Sequence, residues 1–204
     1  LSSSNRVILI TGAAHRIGAT TAKTLHAVGY NIVLHYRSSS SGAEALADEL
    51  NSHRENSVAL VQGDLHLTER LPQIIEGAHS VWGRLDGLIN NASTFYPTPV
   101  DEITEAHWDD LIGTNLKAPL FLTKAAAPYL KESQGSVVSI VDIHAERPLR
   151  EHPVYSIAKA GLVMMTKSMA AELGPEIRVN AVAPGAILWP ENDMDDNTKT
   201  RILD

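Results

Sequence analysis

Six short apolar runs, separated by longer helix-like stretches, restrict the fold of this chain more than any other feature. The runs cover residues 7–11, 31–36, 58–62, 87–90, 136–141 and 178–182. Several are nearly continuous in Val, Ile and Leu, as strands covered on both faces are. Residues 17–28, 43–53, 69–82, 105–129 and 154–173 between them have helical composition or periodicity. Pro119 and Pro128 are expected to interrupt or end parts of the fourth stretch. Alternation of this kind predicts an α/β chain, a doubly wound parallel sheet with right-handed crossovers and flanking helices. The 204 residues suit one domain, 1–204, and 44% hydrophobic content is enough for one packed core.

Composition removes several classes of function. No apolar run reaches the roughly 18 residues of a membrane-spanning helix, so no membrane partner is expected. Residues 1–6 lack the apolar core of a signal peptide. The chain has no cysteine, which removes disulfides, thiolate metal sites and thiol catalysis, and fits a reducing, cytoplasmic setting. Nine histidines are scattered without ligand-like spacing, so no metal is expected. A net charge of -7 argues against a nucleic-acid partner, whose phosphates need a basic face. An acidic chain can still hold a small anion through local cations and helix-terminal N–H groups. Residues 186–204 are polar and acidic, with Asp193, Asp195 and Asp196 close together and no further strand. The expectation there is a domain lacking its C-terminal strand and part of a substrate loop.

The first apolar run leads directly into Thr11-Gly12-Ala13-Ala14-His15-Arg16-Ile17-Gly18, which opens a helix. Gly12 suits a tight turn and Gly18 a close approach of helix to sheet. The helix N-terminus then offers N–H groups and a positive dipole end to a pyrophosphate. An ordinary turn is the alternative for a glycine pair, but its place after the first strand favours phosphate. At the end of the second run, NAD-selective folds carry an acid for the ribose hydroxyls. Here stand His35, Tyr36, Arg37 and Ser38. Arg37 and Ser38 can meet a 2′-phosphate, with Arg16 reaching from the first loop, and NADPH/NADP+ is therefore the expected cofactor. A solvated arginine in a surface turn is the alternative.

Tyr155 and Lys159 are four apart on a predicted helix and so share a face. An adjacent ammonium is expected to lower the tyrosine pKa and ease proton transfer near neutrality. Alone, such a pair is common, and surface packing explains it better.

With its later motifs the chain resembles the short-chain dehydrogenase/reductase family over essentially its whole length, which implies a Rossmann fold. Asp64 and Leu65 resemble the family's adenine-contacting position, and Asn90-Asn91-Ala92 its Asn-Asn-Ala-Gly element. Asn115 matches the asparagine of the proton relay, Tyr155-Ser156-Ile157-Ala158-Lys159 the Tyr-x-x-x-Lys pair, and Pro184-Gly185 the turn beside the nicotinamide. His15 and Ile17 join the cofactor loop on the same basis. Two departures narrow the likeness. Asp142 replaces the usual serine, and Ser93 replaces a glycine in Asn91-Ala92-Ser93-Thr94-Phe95-Tyr96-Pro97-Thr98-Pro99. Both are similar to the pteridine reductases, including bacterial members assigned to dihydrofolate or dihydromonapterin reduction. The resemblance implies a pterin or folate substrate held by Arg16, Ser93, Phe95, Asp142 and Tyr155, with Phe95 stacking on the ring. It implies catalysis by Asn115, Asp142, Tyr155 and Lys159, and a homotetramer built on residues 111–129 and 154–173. Packing of Phe95 under a Pro-rich loop is the local alternative. The rival functions are a carbonyl or 3-oxoacyl reductase of the same fold and a non-enzymatic NADP sensor. Biopterin, monapterin and dihydrofolate all fit as substrates.

Overall fold

The computed structural model describes residues 5–185. The expected acidic tail around 186–204 lies outside the described residues. Among the described residues, six strands form one sheet: β1 (Val7–Ile10), β2 (Asn31–Tyr36), β3 (Val58–Gln62), β4 (Gly87–Asn90), β5 (Ser136–Ile140) and β6 (Arg178–Val182). All neighbours are parallel, in the order β3-β2-β1-β4-β5-β6. Helices α1 (Arg16–Ala27), α2 (Ser40–His53), α3 (Leu71–Ser80), α4 (Glu105–Ile112), α5 (Ala118–Glu132) and α6 (Pro153–Leu173) supply the connections. This is the expected single-domain, doubly wound Rossmann sheet.

The continuous apolar character of β1 follows from its position. Val7 and Leu9 enter a core with Leu71, Ile74 and Ile75 of α3 and Leu122 and Leu130 of α5. Ile8 and Ile10 alternate to the opposite face and meet Ala22 of α1 and Leu46 and Leu50 of α2. A strand sandwiched in this way has no side for polar residues. The chain passes from β1 outward to β2 and β3, then returns to place β4 on the other side of β1. The connections after β1 and β4 therefore diverge, opening a crevice at their carboxyl ends, where such sheets bind ligands.

The fourth helical stretch departs from expectation. It divides at a π-helical turn, Gly113–Lys117, where the Ala118 N–H donates to the Gly113 carbonyl five residues back. Pro119 then sits in the first turn of α5, where its missing N–H is not needed. Pro128 lies inside α5 and does not end it; the helix continues to Glu132. Pro128 and Lys124 are both exposed, so water can reach the Lys124 carbonyl that lacks its usual donor. The third helix starts at Leu71 rather than 69, after a 3₁₀ turn at Thr68–Arg70. Among the described residues, no helix is long and apolar enough to cross a membrane.

Candidate active site

The crevice is built where β1 and β4 end side by side. Gly12 takes φ +60, and a Cβ there would lie 2.9 Å from the Ala92 Cα. One on Gly18 would lie 2.5 Å from the Gly12 carbonyl oxygen, so α1 closes directly onto the turn. The Thr11 hydroxyl accepts from the N–H groups of Asn91 and Ala92 at 2.9 and 3.0 Å. Asn91 Nδ2 donates back to the carbonyls of Thr11 and Gly12 at 2.8 and 3.0 Å. The two loops are thus one hydrogen-bonded unit.

His35 braces that unit from behind. Its Nδ1 accepts the Gly12 N–H at 3.3 Å, which leaves the proton on Nε2, 3.2 Å from the Gly63 carbonyl. Burial pushes the imidazole down to about 4, so it is neutral at pH 7.

Against this frame lies a cleft of about 390 Å³. The first loop contributes Gly12, His15, Arg16, Ile17 and Gly18, and the second His35, Tyr36, Arg37 and Ser38. Asp64 and Leu65 come from beyond β3, and Asn91, Ala92 and Ser93 from beyond β4. Four segments read separately in the sequence therefore meet at one cavity. Helix α1 points into this region with no side-chain cap on His15 and no acid in its first turn. Its N-terminal N–H groups have no carboxylate competitor, which suits the phosphates of a dinucleotide. Arg16 is left-handed at φ +49, a strained state for a non-glycine residue that concentrates at ligand sites. The residues present fit an NAD(P) cofactor.

Sequence reasoning missed other walls of this cleft: Ala14, Ser39, Thr94, His66 and Thr114. Ala14 and Thr94 lie inside motifs already quoted without having been given a role, and Ser39 directly follows Ser38. His66 and Thr114 directly follow Leu65 and precede Asn115, and adjacency was their only signal.

A second group gathers beyond Ser93, outside the walls of that cleft. The Tyr155 hydroxyl donates to Asp142 Oδ2 at 2.7 Å. Asp142 Oδ1 accepts the His144 N–H at 2.9 Å, capping a short 3₁₀ turn, Ile143–Ala145. The Ile143 N–H reaches the Pro184 carbonyl at 3.3 Å, and Gly185 follows beside Ile143. Lys159, 3% exposed, donates to the Ile140 carbonyl at 3.0 Å. Asn115 is fully buried in the π turn. Its Oδ1 accepts from the Ser93 hydroxyl at 2.6 Å, and its Nδ2 donates to the carbonyls of Leu111 and Thr94 at 2.9 and 3.0 Å. Ser93 is therefore the hinge between the two groups.

Phe95 is 55% exposed and meets Tyr155 edge-on, with centroids 4.8 Å apart. It also stacks on His152 at 4.7 Å and 13°. His152 had no sequence signal; it arrives through the turn that starts α6.

One expectation is corrected. Lys159 does not lower the Tyr155 pKa. Burial and the hydrogen bond to Asp142 raise it well above its ordinary value, while Ser93 opposes them. The ammonium stands 5.6 Å from the tyrosine ring centroid, whereas the carboxylate is in direct contact. Lys159 is itself brought down by burial to about 8, with Asp142 acting in the opposite direction.

The family model for short chain dehydrogenase matches residues 6–201 of this sequence. The chain belongs to the short-chain dehydrogenase family. It is an oxidoreductase of the kind that works with NAD(P)H. Pteridine reductase 1 of Leishmania tarentolae is 36% identical, over 91% of this chain and 78% of its own length. The 3-oxoacyl-[acyl-carrier-protein] reductase FabG of Staphylococcus epidermidis is 32% identical, over 98% of this chain and 83% of its own. Its counterpart in Staphylococcus aureus is 33% identical, over 96% and 80%.

Proposed function

We propose that this short-chain dehydrogenase uses NADPH to reduce a pterin or dihydrofolate ring. The observation that carries the reading is the Asp142–Tyr155 pair beside Phe95. A ketone site needs a hydroxyl that donates to the substrate carbonyl. Asp142 offers two acceptors instead, one accepting a hydrogen bond from the Tyr155 hydroxyl and the other from the His144 N–H. The ring N–H and amino groups of a pterin are donors and suit such a carboxylate. Phe95 adds an aromatic face for a flat heterocycle. The likeness to the Leishmania tarentolae pteridine reductase supports the same reading.

Arg37 and Ser38, assisted by Arg16, meet the cofactor's 2′-phosphate; no carboxylate stands among His35, Tyr36, Arg37 and Ser38 to repel it. Bound NADPH supplies the hydride. Lys159 keeps N–H groups beyond its bond to Ile140 for the ribose hydroxyls. Burial and Asp142 keep the proton on the Tyr155 oxygen, from which it is delivered to a ring nitrogen of an oxidised substrate. For a dihydropterin, water is the immediate donor. Asn115 fixes the Ser93 hydroxyl, and Ser93 and Arg16 hold the polar edge of the ring and the cofactor phosphates.

The second reading is a carbonyl or 3-oxoacyl reductase, favoured by the two Staphylococcus relatives. Asp142→Ser separates the two. It is expected to lower pterin turnover by about a hundredfold, the scale of a lost proton-transfer group, with NADPH affinity nearly intact. Undiminished pterin turnover in a folded Asp142→Ser protein would remove the basis of the assignment.

A further inference from the structure

We propose that the Thr114 hydroxyl is a hydrogen-bond donor to the ADP-ribose part of the cofactor, and that His66 is the positioning residue that turns it towards the cleft. The proposal rests on the family's use of NAD(P), not on the pterin substrate or on the choice of NADPH.

His66 directly follows Asp64 and Leu65 and walls the cofactor cleft with them and with Thr114. Tyr155 and Lys159 are not among these walls, so the cleft takes the end of a dinucleotide remote from the nicotinamide. Thr114 is the second residue of the π turn and only 7% exposed. A hydroxyl so placed meets a bound cofactor without competition from bulk water.

His66 is fixed at three points. Its backbone N–H donates to Asp64 Oδ1 at 3.0 Å. Its ring lies on Gly113, where a Cβ would come within 2.7 Å of Nδ1. Its Nε2 stands 3.1 Å from Asp110 Oδ1 and 2.9 Å from the Thr114 hydroxyl oxygen. A carboxylate only accepts, so Nε2 carries the proton. That N–H is shared between two oxygens, and the Thr114 oxygen is the second acceptor. The hydroxyl therefore cannot give its own proton to the imidazole, and among the described residues it has no other partner. A hydroxyl whose oxygen already accepts is also the better donor, because hydrogen bonds in a chain polarise one another. The unspent proton stands at the wall of a cleft suited to a ligand rich in phosphate, ribose and ring-nitrogen acceptors. Neither the glycine loop nor the Asp142 pair gives the trio of Asp110, His66 and Thr114 a purpose.

A double-mutant cycle tests the assignment, with dissociation constants for ADP-ribose and its 2′-phosphate measured by calorimetry. Thr114→Val keeps the branched shape and removes the hydroxyl; it should weaken binding about fivefold, the scale of one lost hydrogen bond. Thr114→Ser, which keeps the hydroxyl, should stay within about twofold of the parent. His66→Phe keeps a ring over Gly113 and removes the N–H that faces Thr114. It should weaken binding about threefold, yet cause no further loss when Thr114 is already valine. His66→Gln, which offers an N–H again, should recover most of the affinity. Unchanged affinity in Thr114→Val, an equal loss in Thr114→Ser, or fully multiplicative effects of His66→Phe and Thr114→Val would overturn the proposal. Tighter binding of ADP-ribose than of its 2′-phosphate by the unaltered chain would contradict the NADPH reading alone, and the cycle is then decided with ADP-ribose.

Discussion

The Tyr155 hydroxyl touches the Asp142 carboxylate, while the Lys159 ammonium stands off and bonds to the Ile140 carbonyl. Burial first, and then the carboxylate in contact, keep the proton on the tyrosine despite a lysine one helical turn away. That lysine carries a cost. Its pKa of about 8, against an ordinary 10.5, means that folding disfavours the charged amine. Below pH 8 both folded and unfolded chains are protonated and the cost is complete; it fades as pH rises towards 10.5. Lys159→Met should therefore abolish turnover yet stabilise the apoprotein at pH 7, on the order of 2 kcal/mol after allowing for the lost Ile140 bond. The gain should shrink in melts near pH 10. A destabilised variant at pH 7 would contradict this. The sequence placed Tyr155 and Lys159 on one face, because helical spacing is local. It could not show that Asp142, 13 residues from Tyr155, would lie closer than the lysine, because that distance is set by the packing of the turn after β5 on α6.

Among the elements, the glycine turn after β1 was legible because turn chemistry lies in adjacent residues. Its brace was not, since His35 joins Gly12 to Gly63 across the ends of three strands. Depression of His35 to about 4 makes this brace acid-sensitive. The unfolded chain takes up the proton near the ordinary 6.5 while the folded chain resists it. Stability is then complete above about 6.5 and lost as pH falls towards 4. His35→Gln should flatten that part of the pH–stability curve; an unchanged acid slope would argue against His35 as its source. On the proposed NADPH reading, the turn after β2 selects the cofactor. Arg37→Asp should weaken NADPH binding at least tenfold, about 1.4 kcal/mol, by replacing a cation with a repelling carboxylate. Equal efficiency of the parent with NADH and NADPH would refute the preference. The π turn was the least legible element. The side chain of Asn115 takes the Leu111 carbonyl that an α-turn would give to a backbone N–H, and Ser93 and His66 hold the turn from distant parts of the chain. Proline position suggested a break, and the π turn does end directly before Pro119, while the contacts of Asn115, Ser93 and His66 that hold it come from distant parts of the chain.

For the whole molecule, a parallel doubly wound sheet was implicit in the alternation of strand and helix, since few topologies satisfy parallel, right-handed connections, but the strand order itself was not. Assembly is a separate matter. Helix α6 buries Leu162 and Met165 yet leaves Met164 60% and Ile157 50% exposed, and Phe121 of α5 is also exposed. One core does not use these apolar faces, and a homotetramer formed across α5 and α6 is the expected state. A monomer at micromolar concentration in sedimentation would reject it. The central claim, that the carboxylate beside Tyr155 serves a pterin rather than a ketone, is tested most directly by following NADPH oxidation. The trial substrates are dihydrobiopterin, dihydromonapterin, dihydrofolate and a 3-oxoacyl thioester, each offered to the unaltered chain. The expected result is a kcat/KM at least about tenfold higher on one of the three heterocycles than on the thioester, because an acceptor-only Asp142 offers a carbonyl no donor beyond Tyr155. Efficient reduction of the thioester with no turnover of any of the three would contradict it.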